Sequence, residues 1–133
     1  MNCAQLESAL RDLSSSGGYS FHLLHQNRIS EVKTLPAMVL EPPTVASVDG
    51  KRHGRISYNV TLHLLNLGAR LSAPQRMALL DRMESDVLEM FASLSNDERV
   101  IAVEELGITP REFAFTTHGD ISQTARAKVV TYF

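Results

Sequence analysis

Histidine is the residue type here that most invites a search for metal chemistry, because the chain has five histidines. His22 and His25 lie three residues apart in the segment 19–29, which is predicted to be extended. Side chains three apart in a strand point to opposite faces, so one zinc ion cannot bind both. His63 and His118 lie on separate predicted elements, whereas a zinc site needs several ligands positioned together. We therefore expect no metal and no cofactor.

Two groups of residues resemble the parts of a nucleophilic active site. His118, Asp120 and Ser122 lie close in sequence, but no Gly-x-Ser-x-Gly motif supplies the sharp turn and oxyanion hole that a serine nucleophile needs. A loop with glycine and aspartate at a turn explains the same residues. The lone Cys3 lies on the apolar stripe of the first predicted helix, which favours a structural thiol. The sequence therefore predicts that the protein is not an enzyme.

The one concentrated charge cluster is the segment Lys51-Arg52-His53-Gly54-Arg55, which follows the strong turn signal Asp49-Gly50. A basic hairpin tip can contact a phosphate backbone or the acidic rim of a protein. It can equally be a solvated tip with no partner, and the sequence leaves both interpretations open. No aromatic residues are interleaved to stack on bases, so sequence-specific reading of a nucleic acid is not indicated.

The segment from Arg55 to Leu67 is the clearest predicted strand, because apolar and polar residues alternate along it. Its polar face carries little charge, which suits contact with a neighbouring subunit as well as exposure to solvent. Together with the basic tip, this face gives the candidate oligomer or partner contacts: Lys51, Arg52, His53, Arg55, Asn59, Thr61 and His63.

Helical periodicity predicts one helix near the start of the chain and a second helix after the long strand. A short helix over residues 3–13 has Asn2 as its N-cap, and a long amphipathic helix over 72–94 begins with the capping-box sequence Ser72-Ala73-Pro74-Gln75. Its methionines at 77, 83 and 90 are expected in the core. Further strands are predicted over 19–29, 35–40, 100–103, 106–108, 112–116 and 124–133. Short connections favour an α+β fold with a mostly antiparallel sheet and both helices packed on one face.

Length and composition fit one soluble domain spanning residues 1–133. Thirteen Lys and Arg against fifteen Asp and Glu give a net charge of −2, which lacks the cationic surplus of a general nucleic-acid binder. The chain has no apolar run of about 20 residues, the length a membrane helix needs, and no secretory signal. We expect synthesis in the cytoplasm and no membrane partner.

The layout as a whole resembles the tail terminator family of long-tailed bacteriophages, also called tail completion or minor tail proteins. The features that carry the resemblance are the short first helix, the strand 35–40 followed by Glu41-Pro42, the alternating strand through 58–64, the single helix Met77 to Leu94, and a late Gly-Asp loop before the terminal strand 127–133. The resemblance is one of pattern over nearly the full length and includes no catalytic motif.

The resemblance implies a structural, non-enzymatic protein of the virion tail that holds no cofactor. It implies a ring, expected to be a hexamer, that caps the tail tube, joins it to the head and lets DNA pass through without sequence-specific contacts. Its partners would be copies of itself, tail-tube proteins and head-completion proteins, with strand edges and the loop around Gly50 as contact elements. The alternative from a different class is a small α+β ligand-binding or regulatory dimer, with His63, His118 and Asp120 converging in a pocket.

Overall fold

The computed structural model describes residues 1–24, 28–50, 53–111, 114, 116 and 119–133. It contains two helices, six strands and one short 3-10 helix in the described part of the chain. In chain order these are α1 (Cys3–Ser16), β1 (Ser20–Leu23), the 3-10 helix (Ile29–Glu31), β2 (Ala37–Leu40), β3 (Thr44–Asp49), β4 (Arg55–Leu67), α2 (Ala73–Ser95), β5 (Val100–Arg111) and β6 (Asp120–Tyr132).

Both helices begin with capping boxes. The sequence predicts the box at Ser72, whereas for α1 it predicts only the N-cap Asn2. The side chain of Asn2 accepts the backbone N–H of Gln5, and the side chain of Gln5 accepts the backbone N–H of Asn2, both at 2.8 Å. Ser72 and Gln75 make the same reciprocal pair at the start of α2, with Pro74 in the first turn. Each box satisfies two backbone donors that the first helical turn leaves without partners.

The six strands form one sheet in the order β1-β2-β4-β6-β5, and β3 pairs with β4 on the same edge as β2. β2 pairs with residues 62–65 of β4, and β3 pairs with residues 55–59, so the two short strands share one side of the long strand. Only the β1–β2 pair is parallel among these pairings. This arrangement confirms the predicted α+β fold with a mostly antiparallel sheet.

The main core lies between the two helices and one face of the sheet, which we call the helix-covered face. β4 contributes Tyr58, Val60, Leu62 and Leu64 to this core, as the alternation predicts, and α2 contributes its buried stripe of Met83, Val87, Met90, Phe91 and Leu94. Met77 is an exception to the expectation that the helix methionines are core residues. Its side chain is 67% exposed, because it lies on the flank of α2 beside β5.

A second, smaller apolar cluster covers part of the opposite face, which we call the open face. Val32, Ala37, Val39 and Leu65 form it, with Leu24, Ile29 and Leu35 packed around them. Leu24 and residues 28–36, which lie between β1 and β2, therefore cover one end of the open face. The rest of that face carries the polar side chains of β4 and β6.

Several strand boundaries differ from the predictions. β1 has four residues rather than eleven, β3 was not predicted, and the two predicted pieces over 100–108 form the single strand β5. β5 contains a bulge between Glu104 and Gly107, where Glu105 has a φ of 56°, and this irregularity breaks the local alternation. Of the predicted strand 112–116, residues 112, 113 and 115 lie outside the described residues, and 114 and 116 are not in a strand.

No helix in the described part of the chain is both long enough and apolar enough to cross a membrane.

Candidate interaction surface

The basic tip lies at the end of the hairpin that β3 and β4 form. Lys51 and Arg52 lie outside the described residues. His53 and Arg55 are exposed. Both Gly50 and His53 have left-handed backbone conformations, with φ angles of 87° and 50°. Arg55 is the first residue of β4, where it pairs with Asp49 of β3 and Tyr132 of β6. Arg55 thus lies at the sheet end that also holds the last residues of β6.

Exposed apolar side chains accompany the tip. Val45 and Val48 of β3 are 55% and 54% exposed, and Phe133 is 54% exposed. Val48 lies opposite Ile56, so both valines and Phe133 fall on the helix-covered side of the sheet end. Within the described ranges, β3 pairs with β4 on one side only, which leaves its other edge of backbone donors and acceptors open to another strand. The sequence pattern does not predict this strand.

The polar face of β4 is less uniform than its alternation suggests. Asn59 is exposed and Thr61 half-buried, whereas Ser57 and His63 are buried. On the same face, β6 places Lys128 beside Asn59 and Arg126 beside Thr61. Alternation along the terminal strand predicts that Arg126 and Lys128 share one face. It does not predict the pairing of β6 with β4 that places them beside Asn59 and Thr61.

His63 is held by side chains of its own chain. One ring nitrogen lies 2.8 Å from Oγ1 of Thr124, and the other lies 2.9 Å from a carboxylate oxygen of Glu41. The ring bridges β4, β6 and the end of β2, and it is only 8% exposed. This geometry gives His63 a positioning role within the sheet, and a contact role for it stays a prediction.

The other histidines do not gather around a common point. The Nε2 atom of His22 lies 3.1 Å from the hydroxyl of Ser20, and burial lowers the pKa of His22. His25 and His118 lie outside the described residues. Across the described ranges, no group of three or more histidine, cysteine or acidic side chains is placed to hold a metal ion.

Asp120, the first residue of β6, accepts two hydrogen bonds from Thr116. It is buried, and its Oδ1 atom accepts the backbone N–H of Thr116 at 2.7 Å and the hydroxyl of Thr116 at 2.6 Å. His63 and Asp120 lie four register positions apart along the β4–β6 ladder, about 13 Å at the usual rise per residue. The described residues therefore do not bring His63 and Asp120 together as the ligand-binding alternative requires.

The thiol of Cys3 also contacts polar groups of its own chain. Sγ of Cys3 lies 3.7 Å from a carboxylate oxygen of Glu7 and 3.8 Å from the carbonyl oxygen of Pro43. Burial, helped by the negative charge of Glu7, raises the pKa of Cys3. A raised pKa keeps the thiol protonated, the opposite of what a nucleophilic cysteine needs.

A groove separates α2 from the edge strand β5. It has a volume of about 210 Å³ and is lined by Met77, Leu80, Asp81, Glu84, Ile108, Pro110 and Gln123. We call it the α2–β5 groove. It combines apolar side chains with two exposed carboxylates, a composition more typical of a protein contact than of a small-molecule site, whose polar groups converge on one point.

Comparisons with known proteins bear on the fold. No protein-family model and no curated protein matches the sequence. The fold is shared with several solved chains, one of which matches along nearly its whole length. It comes from the virion of a native gene transfer agent (GTA) particle, and it matches with a TM-score of 0.59 and 12% sequence identity over 96% of this chain and 95% of that chain. At this identity the match shows a common fold along almost the full length of both chains.

Proposed function

We propose that this protein is a structural, non-enzymatic component of a phage or prophage tail. In this proposal it forms a ring, expected to be a hexamer, that caps the tail tube and joins it to the head. Its location is the virion, after synthesis and assembly in the host cytoplasm. The observation that carries the proposal is the end-to-end fold match with a chain of a gene transfer agent virion.

The surface supports a role in assembly. In the part of the chain that the structure describes, the outer edge of β3 has no partner strand, and several large apolar side chains are about half exposed or more. Proteins normally blunt or cover open strand edges, and contacts between subunits cover them. In a closed ring of identical head-to-tail contacts, the open strand edge of every copy can be covered by its neighbour. Contacts through the tip 51–55 and through Asn59, Thr61 and His63 belong to the proposal as predicted contacts.

The charges support passage of DNA rather than specific binding to it. Arg126 and Lys128 lie together on the open face, with Glu104 opposite Lys128 in the β5–β6 ladder. Mixed charges of this kind give weak, salt-sensitive contacts with phosphates. They suit a lumen that DNA crosses without being held.

The oligomeric state and the affinity for tail tubes test this proposal. We expect light scattering to give a ring mass at high protein concentration or on addition of purified tail tubes, and electron microscopy to show rings at tube ends. Asn59→Arg should weaken this association about tenfold, roughly 1.4 kcal/mol. Asn96→Arg, the same change at an exposed residue after α2, should not. A strictly monomeric protein that does not bind tubes would overturn the proposal.

A further inference from the structure

The α2–β5 groove has the features of a surface built to receive a partner. Met77 is 67% exposed, and Leu88, which helical spacing places on the same flank of α2, is 49% exposed. Asp81 and Glu84 lie between them along the same flank and are exposed. The flank of α2 that borders the groove therefore presents apolar ends around an acidic centre.

The floor of the groove contains a polar atom without a partner. Gln123 is 95% buried, and its side-chain N–H donates to the carbonyl oxygen of Leu80 at 3.1 Å. Its Oε1 atom is buried, and none of the described residues donates a hydrogen bond to it. A buried acceptor in this state carries a free-energy penalty. An occupant that brings a donor into the groove would remove that penalty.

The same chain carries a surface with the complementary properties at the other end of the sheet. We call it the tip patch: Val45, Val48 and Phe133, each more than half exposed, with Arg55 at the base of the basic tip. Among the described residues, Arg55 has no carboxylate within ion-pair distance. The patch thus offers apolar side chains, a cation and an open strand edge with backbone donors.

The two surfaces cannot meet within one molecule. Arg55 pairs with Tyr132 at one end of the β4–β6 ladder, whereas Gln123 pairs with Leu64 near the other end. Nine residues of strand separate Gln123 from Tyr132, which is about 30 Å. Contact between the tip patch and the groove therefore requires two copies of the chain.

We infer that the α2–β5 groove of one copy receives the tip patch of the next copy. The valines cover Met77 and Leu88, Arg55 faces Asp81 and Glu84, and a backbone donor from the open edge of β3 reaches Gln123. The two partners are different surfaces, so the contact is of the head-to-tail kind that closes rings. An acidic groove repels phosphates, which argues against a nucleic acid as the occupant. This inference rests on the proposed ring.

Cysteine cross-linking tests the contact directly, because Cys3 is the only native cysteine. In a Cys3→Ser background, Val48→Cys and Met77→Cys place one thiol in the tip patch and one in the groove. A short bismaleimide should link position 48 of one copy to position 77 of another and give a ladder of oligomers. Each single-cysteine variant should give dimers at most. Mass spectrometry that finds no 48–77 linkage would overturn the inference.

Charge reversal gives a second, independent test. Asp81→Lys with Glu84→Lys should lower the 48–77 cross-linking yield at least tenfold, and Arg55→Glu should lower it severalfold. Combining all three changes should restore much of the yield, since the charges again attract. The control pair Asp12→Lys and Glu98→Lys makes the same total charge change at exposed sites elsewhere. Equal losses in the groove and control variants would contradict the inference.

The tests separate this inference from the proposed ring. Rings seen by light scattering and microscopy without 48–77 linkage would show that copies assemble through other surfaces. Absence of rings together with absence of linkage would reject both. A 48–77 ladder that ends at one ring-sized species supports both.

Discussion

Replacing Leu62 by alanine is expected to lower the free energy of unfolding by about 3–4 kcal/mol. Leu62 is completely buried in the centre of β4, between Leu40 of β2 and Ala125 of β6. Its side chain points into the core under the helices, and the rigid neighbours on both strands limit how far the site can collapse. Urea unfolding followed by circular dichroism measures this loss, with an unchanged m-value.

The matched control is the same substitution at Leu67, at the end of the same strand. Leu67 is 54% exposed, so Leu67→Ala should cost less than about 1 kcal/mol. If the two variants lose the same stability, the helices do not cover β4 as described.

Replacing Asp120 by alanine is expected to cost about 2–3 kcal/mol, because hydrogen bonds to a buried carboxylate are stronger than those between neutral groups. The change removes the Oδ1 acceptor to which the buried backbone N–H and the hydroxyl of Thr116 both donate. The preceding Gly119 has a φ of 71°, a left-handed backbone conformation that glycine adopts more readily than other residues. Thermal and urea unfolding measure the loss.

Two variants separate the role of the acceptor from a general effect of losing charge. Asp120→Asn keeps one acceptor oxygen and should lose less than Asp120→Ala. Asp12→Ala removes an exposed carboxylate on α1 and should change stability by less than about 0.5 kcal/mol. Equal effects at positions 12 and 120 would show that Asp120 does not fix the loop.

The sequence predicted the elements with strong periodicity and missed those without it. β4 alternates over thirteen residues and α2 repeats over 23, so their faces follow from local pattern alone. β3 consists mainly of small or polar residues at an edge of the sheet. It has no buried face, so its sequence does not alternate between apolar and polar residues. The bulge in β5 adds residues that interrupt the alternation of its side chains. The sequence therefore predicts two strands where the structure has one.

The candidate surface was predicted only in part, for a related reason. The basic tip is a local feature of composition and was visible, although Lys51 and Arg52 lie outside the described residues. The α2–β5 groove combines Met77 of a helix with Pro110 of one strand and Gln123 of another. Which strand pairs with which depends on contacts far apart in sequence, so no local pattern reveals such a groove.

Deletion of the gene from the genome that carries it tests the proposed tail role most directly. If the protein ends the tail tube and joins it to the head, particles without it should show full heads separate from tails, with tubes of uncontrolled length. Supplying the wild-type protein should restore joined particles of uniform tail length, and mass spectrometry of those particles should find about one ring's worth of copies in each. Normal particles from the deletion strain, without this protein, would contradict the account.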